Sequence, residues 1–443
     1  MQNNKKILSL LLISALLIIS CKKDQEVINN SAQLKEYIKL GKDNLEINPI
    51  EALNYSDKSL EIAQKLNDKD NQVQALSLKG DTYYQMRKLD LALENYFKAL
   101  DINKELTINE SKATLLGKIA MIYYQTKFYD LAIKNFQDAL VIWQNENNII
   151  KSSDYLANIG SCFQLQGRHD DAIEYFTKAL VTIQSQEKQI IVAELYNSLG
   201  NVYNLKKDFA QAEIYYTKAL QILLNNDDNR LIAYVYRNLG LNKYEQHHFT
   251  KALEYSHKAL ALEEARNDPG EMLKTLYNIG LCEKESKNLS QAVFTFKRME
   301  QLAKDTNNQD QLSFAQEQLA KVYNLQGNYK KSSHYFEINT KLKTELETSY
   351  QALARQNEKT QINISSLTFQ RDHEKELINQ IVIQQTIIYF TIGLIIAAVF
   401  FFFLYIYQQR KRKASDAKIN NALNTLEVIL KDNDQWKQIN KEL

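Results

Sequence analysis

The sequence predicts an all-α chain: a solenoid of about eight 40-residue helix pairs, then a long helical stalk and one transmembrane helix. Three observations predict it. The 443 residues hold only 11 Gly and 2 Pro, well under the roughly 7% and 5% of an average chain, whereas a large β fold needs such residues at every turn. A pattern of small and aromatic residues recurs at a fixed offset of 40, the mark of a repeat architecture. The run Ile387 to Tyr407 carries no charge and would span about 32 Å as a helix, enough for the hydrocarbon core of a bilayer. A 44% hydrophobic content excludes a disordered chain, and 55 Lys+Arg against 53 Asp+Glu gives no electrostatic case for nucleic acid.

Residues 1–20 read as an export signal. Lys5 and Lys6 form a positive region ahead of the apolar stretch Ile7 to Ile19, which ends at Ser20-Cys21. That ending resembles the lipobox of bacterial lipoproteins, which implies lipidation of Cys21. An uncleaved anchor with an incidental cysteine is the alternative. A linker, 21–32, follows.

The repeats occupy 33–340. A small residue stands at Gly80, Ala120, Gly160, Gly200, Gly240, Gly280 and Ala320. Twelve residues on come Ala92, Ala132, Ala172, Ala212, Ala252, Ala292 and Ser332; four later sit Tyr96, Phe136, Phe176, Tyr216, Ser256, Phe296 and Phe336. An earlier, degenerate copy at Leu40, Ala52 and Ser59 makes eight. Small residues let two helices approach closely and the aromatics fill the remaining space. No pair can bury its face alone, so stacked pairs share one core. The aromatic, Leu-Gly, Tyr, Ala, aromatic, Ala order of Tyr196, Leu199, Gly200, Tyr203, Ala212, Tyr216 and Ala219 resembles the tetratricopeptide repeat (TPR) family. The usual TPR period is 34, so six extra residues imply longer helices or longer inter-repeat turns.

The resemblance implies a concave groove lined by the first helix of each pair, with a protein or peptide as its partner. The positions flanking the Gly are then Asn197, Asn201, Asn204, Arg237, Leu241, Tyr244, Tyr277 and Leu281. Amides and tyrosines suit an extended peptide backbone, and a solvated surface is the competing reading. Some chaperone-binding TPR proteins clamp a peptide carboxylate with asparagines and lysines. Asn201 fits one such asparagine, and Asn158, Asn238 and Asn278 another, but the lysines are missing from the aligned positions.

Catalytic chemistry is not visible. Cys162 and Cys282 fall at equivalent positions three repeats apart, too far for a disulfide, and read as small buried apolar side chains. His247, His248 and His257 match no metal-ligand spacing, and no nucleotide-loop, zinc-protease or nucleophile-elbow motif occurs. No enzyme, metal or cofactor is expected.

The stalk, 341–385, is rich in Gln, Glu and Lys. Leu342, Leu346, Leu353, Leu367, Leu377 and Ile381 form an imperfect heptad that Ile362 to Phe369 interrupts, which leaves a coiled coil or a single solvated helix. The span is placed at 386–407, and Arg410, Lys411, Arg412 and Lys413 act as stop-transfer charges that put the C-terminal side in the cytoplasm. Export signal and charge asymmetry then agree on a bacterial inner-membrane protein with its repeats in the periplasm. In the tail, 408–443, Ile419, Leu423, Leu426, Leu430, Trp436 and Ile439 share one helix face. Thirty-six residues cannot bury a core, so the stripe calls for a second copy of the chain (a homodimer through stalk and tail) or a cytoplasmic signalling partner. The layout resembles bacterial TPR sensors joined through one span to a kinase or DNA-binding domain, but no histidine follows His373 and no ATP loop or DNA-reading helix is present. Two readings result: a non-enzymatic membrane-anchored scaffold, or the input module of a split or truncated two-component-type sensor.

Overall fold

The computed structural model describes residues 28–106, 109–184 and 186–442, without the side chains of 349–350 and 429–442. The expected signal and Cys21 lie outside the described residues. The chain divides into two compact units, 1–364 and 365–443.

All regular structure among the described residues is helical. Eight helix pairs succeed one another: α1 (28–44) with α2 (Pro49–Lys65), α3 (Lys69–Gln85) with α4 (Leu89–Leu106), α5 (Asn109–Gln125) with α6 (Tyr129–Asn145), and α7 (Ile149–Leu165) with α8 (His169–Ile183). Then come α9 (Gln189–Leu205) with α10 (Phe209–Leu224), α11 (Asn229–Glu245) with α12 (Phe249–Ala265), α13 (Pro269–Glu285) with α14 (Leu289–Asp305), and α15 (Gln309–Leu325) with the start of α16 (Tyr329–Glu442). Each helix packs on its chain neighbours, and the first helices of successive later repeats, α9, α11, α13 and α15, also touch. The solenoid is of the TPR type, and the extra six residues went into the helices: most are 17 residues long with three-residue turns.

Those turns explain the period. At most turns one residue is left-handed, at a spacing of 20: Asn67, Arg87, Lys127, Asn147, Lys207, Asp227, His247, Asn267, Lys287 and Asn307, with Gly at 167 and 327; Ile47 and Glu187 on the same register are not. The left-handed residue closes its helix: the Asp68 N–H donates to the Ala63 carbonyl (2.9 Å) and the Asn67 N–H to the Gln64 carbonyl (3.0 Å), satisfying carbonyls that the helix end leaves orphaned. Between repeats the next residue caps the following helix. Asp68, Asn148, Asp228, Asp268 and Asn308 each accept the N–H three residues on. The Asn/Asp-rich strings of the sequence are therefore stop and start signals set side by side.

Ala92, Ala132, Ala172, Ala212, Ala252 and Ala292 are fully buried. The small residue opposite them is required by closeness: a β-carbon at Gly200 would lie 2.5 Å from Tyr216 Cε1, and one at Gly280 would lie 2.5 Å from Phe296 Cε1. At repeat 8 the series ends: Ser332 replaces the alanine and Phe336 is 46% exposed, as a terminal pair with a wetted face requires. Cys162 and Cys282 are buried and free, and burial pushes both thiols up to about 12.

The stalk is the continuation of α16. Within the first unit its residues 351–359 are exposed, but 361–364 are not free-standing. Ile364 is fully buried in the hydrophobic cluster of repeats 2–5, Gln361 Nε2 donates to the Thr126 carbonyl (3.0 Å), and Asn363 Nδ2 donates to Asp90 Oδ2 (2.8 Å). The interruption of the heptad is thus a contact with the solenoid.

Among the described residues one helix, α16, is long and apolar enough to cross a membrane. Its side chains from Ile387 to Tyr407 are almost all exposed, Phe400 to Phe403 at 60–67%. Arg410, Lys411, Arg412 and Lys413 follow on the same helix, exposed. Ile419, Leu423 and Leu426 are exposed; the side chains of Leu430, Trp436 and Ile439 lie outside the described residues.

Candidate functional site

A cleft of about 550 Å³ lies on repeats 5–7, between α9, α11 and the turn into α13. A second, of about 290 Å³, adjoins it along α11, α13 and α15. Arg237 and Lys274 line both, so the two form one groove across the first helices of repeats 5–8.

An amide cluster sits where the two clefts meet, Asn197 and Asn201 lining the first and Asn238 the second. Asn238 Nδ2 donates to Asn197 Oδ1 (2.9 Å) and Asn201 Oδ1 (3.1 Å), and the Tyr216 hydroxyl donates to Asn201 Oδ1 (2.8 Å). Those bonds fix the amide orientations. They leave Asn197 Nδ2, Asn201 Nδ2 and Asn238 Oδ1 without a protein partner among the described residues: two donors and one acceptor, the complement of a peptide backbone.

The wall is ionic. Arg237, 8% exposed, pairs with Glu263 (3.1 Å) and with Glu271. The Thr275 hydroxyl also donates to Glu263 Oε1 (3.0 Å), while Glu263 Oε2 is buried with no partner. Burial raises the Glu263 pKa although Thr275 and Arg237 oppose it. Burial also acts to raise Glu271, but hydrogen bonds from Lys274 and Arg237 leave it lowered. Glu194, at the opposite rim, is raised by burial. With Arg230, Arg266 and Asp268 the lining has four cations and four acids, so the cleft is polar without net charge. The second cleft is more apolar: Leu241, Tyr277 and Phe314 line it, the two rings 6.1 Å apart.

Asn197, Asn201 and Arg237 thus meet in the first cleft, and Arg237 and Tyr277 in the second. Asn204 accepts from the buried Asn242 (2.9 Å), and Tyr244 packs on Phe249 (5.8 Å); neither lines a cleft. Sequence reasoning missed Glu263 and Thr275, yet both carry a signal at the 40-residue offset. Position 263 is Ala63, Asn103, Trp143, Ile183, Leu223 and Ala303 in other repeats, and position 275 is Leu195, Val235 and Ala315. A carboxylate and a small hydroxyl in columns that are mostly apolar, Asn103 and Tyr155 being the other polar members, mark a polar insertion into the core. No group of His, Cys, Asp and Glu suited to a metal occurs among the described residues.

A model described as "Tetratricopeptide repeat" matches residues 48–105, 111–184 and 191–265. Those segments are similar to TPR repeats. The apo form of RapI is similar in structure (17% identity, 73% of this chain and 88% of that chain, TM-score 0.57). So are the apo form of the quorum sensor NprR from B. thuringiensis (17% identity, 71% and 88%, TM-score 0.56) and aspartyl phosphate phosphatase F from Bacillus subtilis (18% identity, 65% and 75%, TM-score 0.50). At such identities the likeness establishes the TPR-type fold alone. No curated protein matches the sequence significantly.

Proposed function

We propose that this chain is a non-enzymatic, membrane-anchored TPR scaffold that holds an extended peptide, or an extended segment of a protein, in the groove of repeats 5–8. One observation carries the reading: Asn197, Asn201 and Asn238 are locked by one another and by Tyr216, and still leave two amide donors on the first cleft and one acceptor on the second. Preorganised amides bind backbone at low ordering cost, and Leu241, Tyr277 and Phe314 beside them would take apolar side chains. The balance of four cations and four acids argues against a clamp for a terminal carboxylate. A quorum sensor is among the proteins of like fold.

In this reading Ile387 to Tyr407 crosses the bacterial inner membrane, and Arg410 to Lys413 keep the tail in the cytoplasm. The repeats face the periplasm and Cys21 carries a lipid. The input half of a split sensor is the second reading. The exposed apolar side chains of Ile419, Leu423 and Leu426 in the tail favour it, since they offer a face to a second chain.

The test is selection of random 12-residue peptides on the purified, detergent-solubilised full chain. Selected peptides are expected to bind the wild type and to lose most of their affinity in Asn201→Ala and Asn238→Ala. Peptides that bind these variants as well as the wild type would refute the groove.

A further inference from the structure

The stalk is attached to the solenoid twice. It leaves repeat 8 after Asn339, which is still buried, and 22 residues later, roughly 33 Å along a helix, it touches repeats 2 and 3. The second attachment is specific. The Thr126 carbonyl is one of those that the end of α5 leaves without a partner, and Gln361 supplies the donor. Asp90, in the first turn of α4, receives Asn363. Ile364 is fully buried, while Leu353 and Ile362 on the same helix are 51% and 62% exposed. These contacts join residues 235 and 273 positions apart in the chain. The groove of repeats 5–8 lies in the stretch of solenoid between the two attachments.

We propose that residues 361–364 form a clasp whose docking on repeats 2–3 sets the curvature of the intervening repeats, so that docking and groove occupancy are a single linked equilibrium. In a solenoid each repeat touches only its neighbours, and small rotations per repeat add up to the shape of the groove. A strut tied at both ends fixes that sum. With the clasp docked, the amides of Asn197, Asn201 and Asn238 already stand in one cluster, so the docked form is the one an extended peptide binds. Linkage then requires that a bound peptide holds the clasp shut by the same factor. The linkage half of this proposal rests on the peptide-binding reading; the clasp itself does not.

The experiment uses the full chain. Asp90→Cys/Asn363→Cys should give an intrachain disulfide under mild oxidation, identified by mass spectrometry, since the native Cys162 and Cys282 are buried. Asp90→Cys/Gln356→Cys, two helical turns away on the stalk, is the control and should link far more slowly. Adding Ile364→Asp should slow the first reaction at least about tenfold and weaken binding of a 12-residue peptide selected on the full chain by a similar factor. Saturating that peptide should speed the cross-link in the double-cysteine protein. Equal rates for 363 and 356, or linkage between chains, would overturn the clasp. Normal clasp chemistry with unchanged peptide affinity in Ile364→Asp would overturn the linkage. A chain that cross-links as described but yields no groove-dependent peptide leaves the clasp standing and refutes the binding reading.

Discussion

Replacing Arg237 by Met should be the most costly single change in the groove, and changing its partners as well should restore the loss. Glu263 is 1% exposed, and among the described residues Arg237 is its one ion-pair partner and Thr275 its one further donor. Glu271 keeps Lys274 at 2.7 Å and so tolerates the loss. Removing one member of a buried pair costs roughly 3–5 kcal/mol, whereas apolar replacement of the whole set is neutral or stabilises by about 1–4 kcal/mol. Arg237→Met should therefore sit near the low end, about 3 kcal/mol at pH 7, because burial already raises the Glu263 pKa and the freed carboxyl can take up a proton. The cost should shrink as the pH falls, since protonation removes the buried charge. Arg237→Met/Glu263→Leu/Thr275→Val returns positions 263 and 275 to the residues of Leu223 and Val235 one repeat earlier, and should be at least as stable as the wild type while losing peptide binding. Repeat arrays do not unfold as a single unit, so the assay is native-state hydrogen exchange read at the amides of α11, α12 and α13. A triple variant as unstable as Arg237→Met would refute the reasoning, because the burden would then lie in lost packing and not in the stranded carboxylate.

Other outcomes follow from the same geometry. Glu283 is buried with Oε2 unpartnered, and burial raises its pKa. The folded state thus holds this proton more tightly than the unfolded one, and its contribution is lost as the pH rises through the raised value. Glu283→Gln should stabilise by about 1 kcal/mol at pH 7 and by nothing near pH 4, measured by native-state hydrogen exchange in α13 and α14 at both. Lys207, left-handed at φ 61°, should gain about 1 kcal/mol on replacement by Gly, visible as slower exchange at the end of α9; no change would mean that the turn relaxes. Phe296→Ala empties a fully buried site against Gly280 and should cost about 3–5 kcal/mol, read by exchange in α13 and α14. Cys21→Ser should abolish labelling by a radioactive fatty acid; persistent labelling would sink the lipobox.

Most of the solenoid is legible in the sequence because its determinants are local and periodic. Gly200, Ala212 and Tyr216 recur in register, and the paired Asn/Asp residues mark where one helix stops and the next begins. Whether the extra six residues lengthened helices or turns was open, since Asn and Asp serve both; the left-handed residues at a spacing of 20 decide for the helices. Half of the groove was legible too. Asn197, Asn201, Arg237 and Tyr277 follow from the helix face they share, but Glu263 reaches the cleft from α12, a second helix, and is found only by comparing columns across repeats. The clasp was not legible. Ile362 to Phe369 reads as a fault in a heptad, and only the accumulated rotation of the repeats, which no local pattern encodes, brings Ile364 to the cluster of repeats 2–5.

The central claim is that the groove of the first helices is the binding surface. A photoreactive phenylalanine placed in turn at Tyr234 and Tyr277, which line the groove, and at Val181 and Phe294, exposed on the second helices α8 and α14, tests it directly with peptides selected on the full chain. Cross-links from 234 and 277 and none from 181 and 294 are the predicted result. Cross-links confined to 181 and 294, or equal from all four, would contradict it.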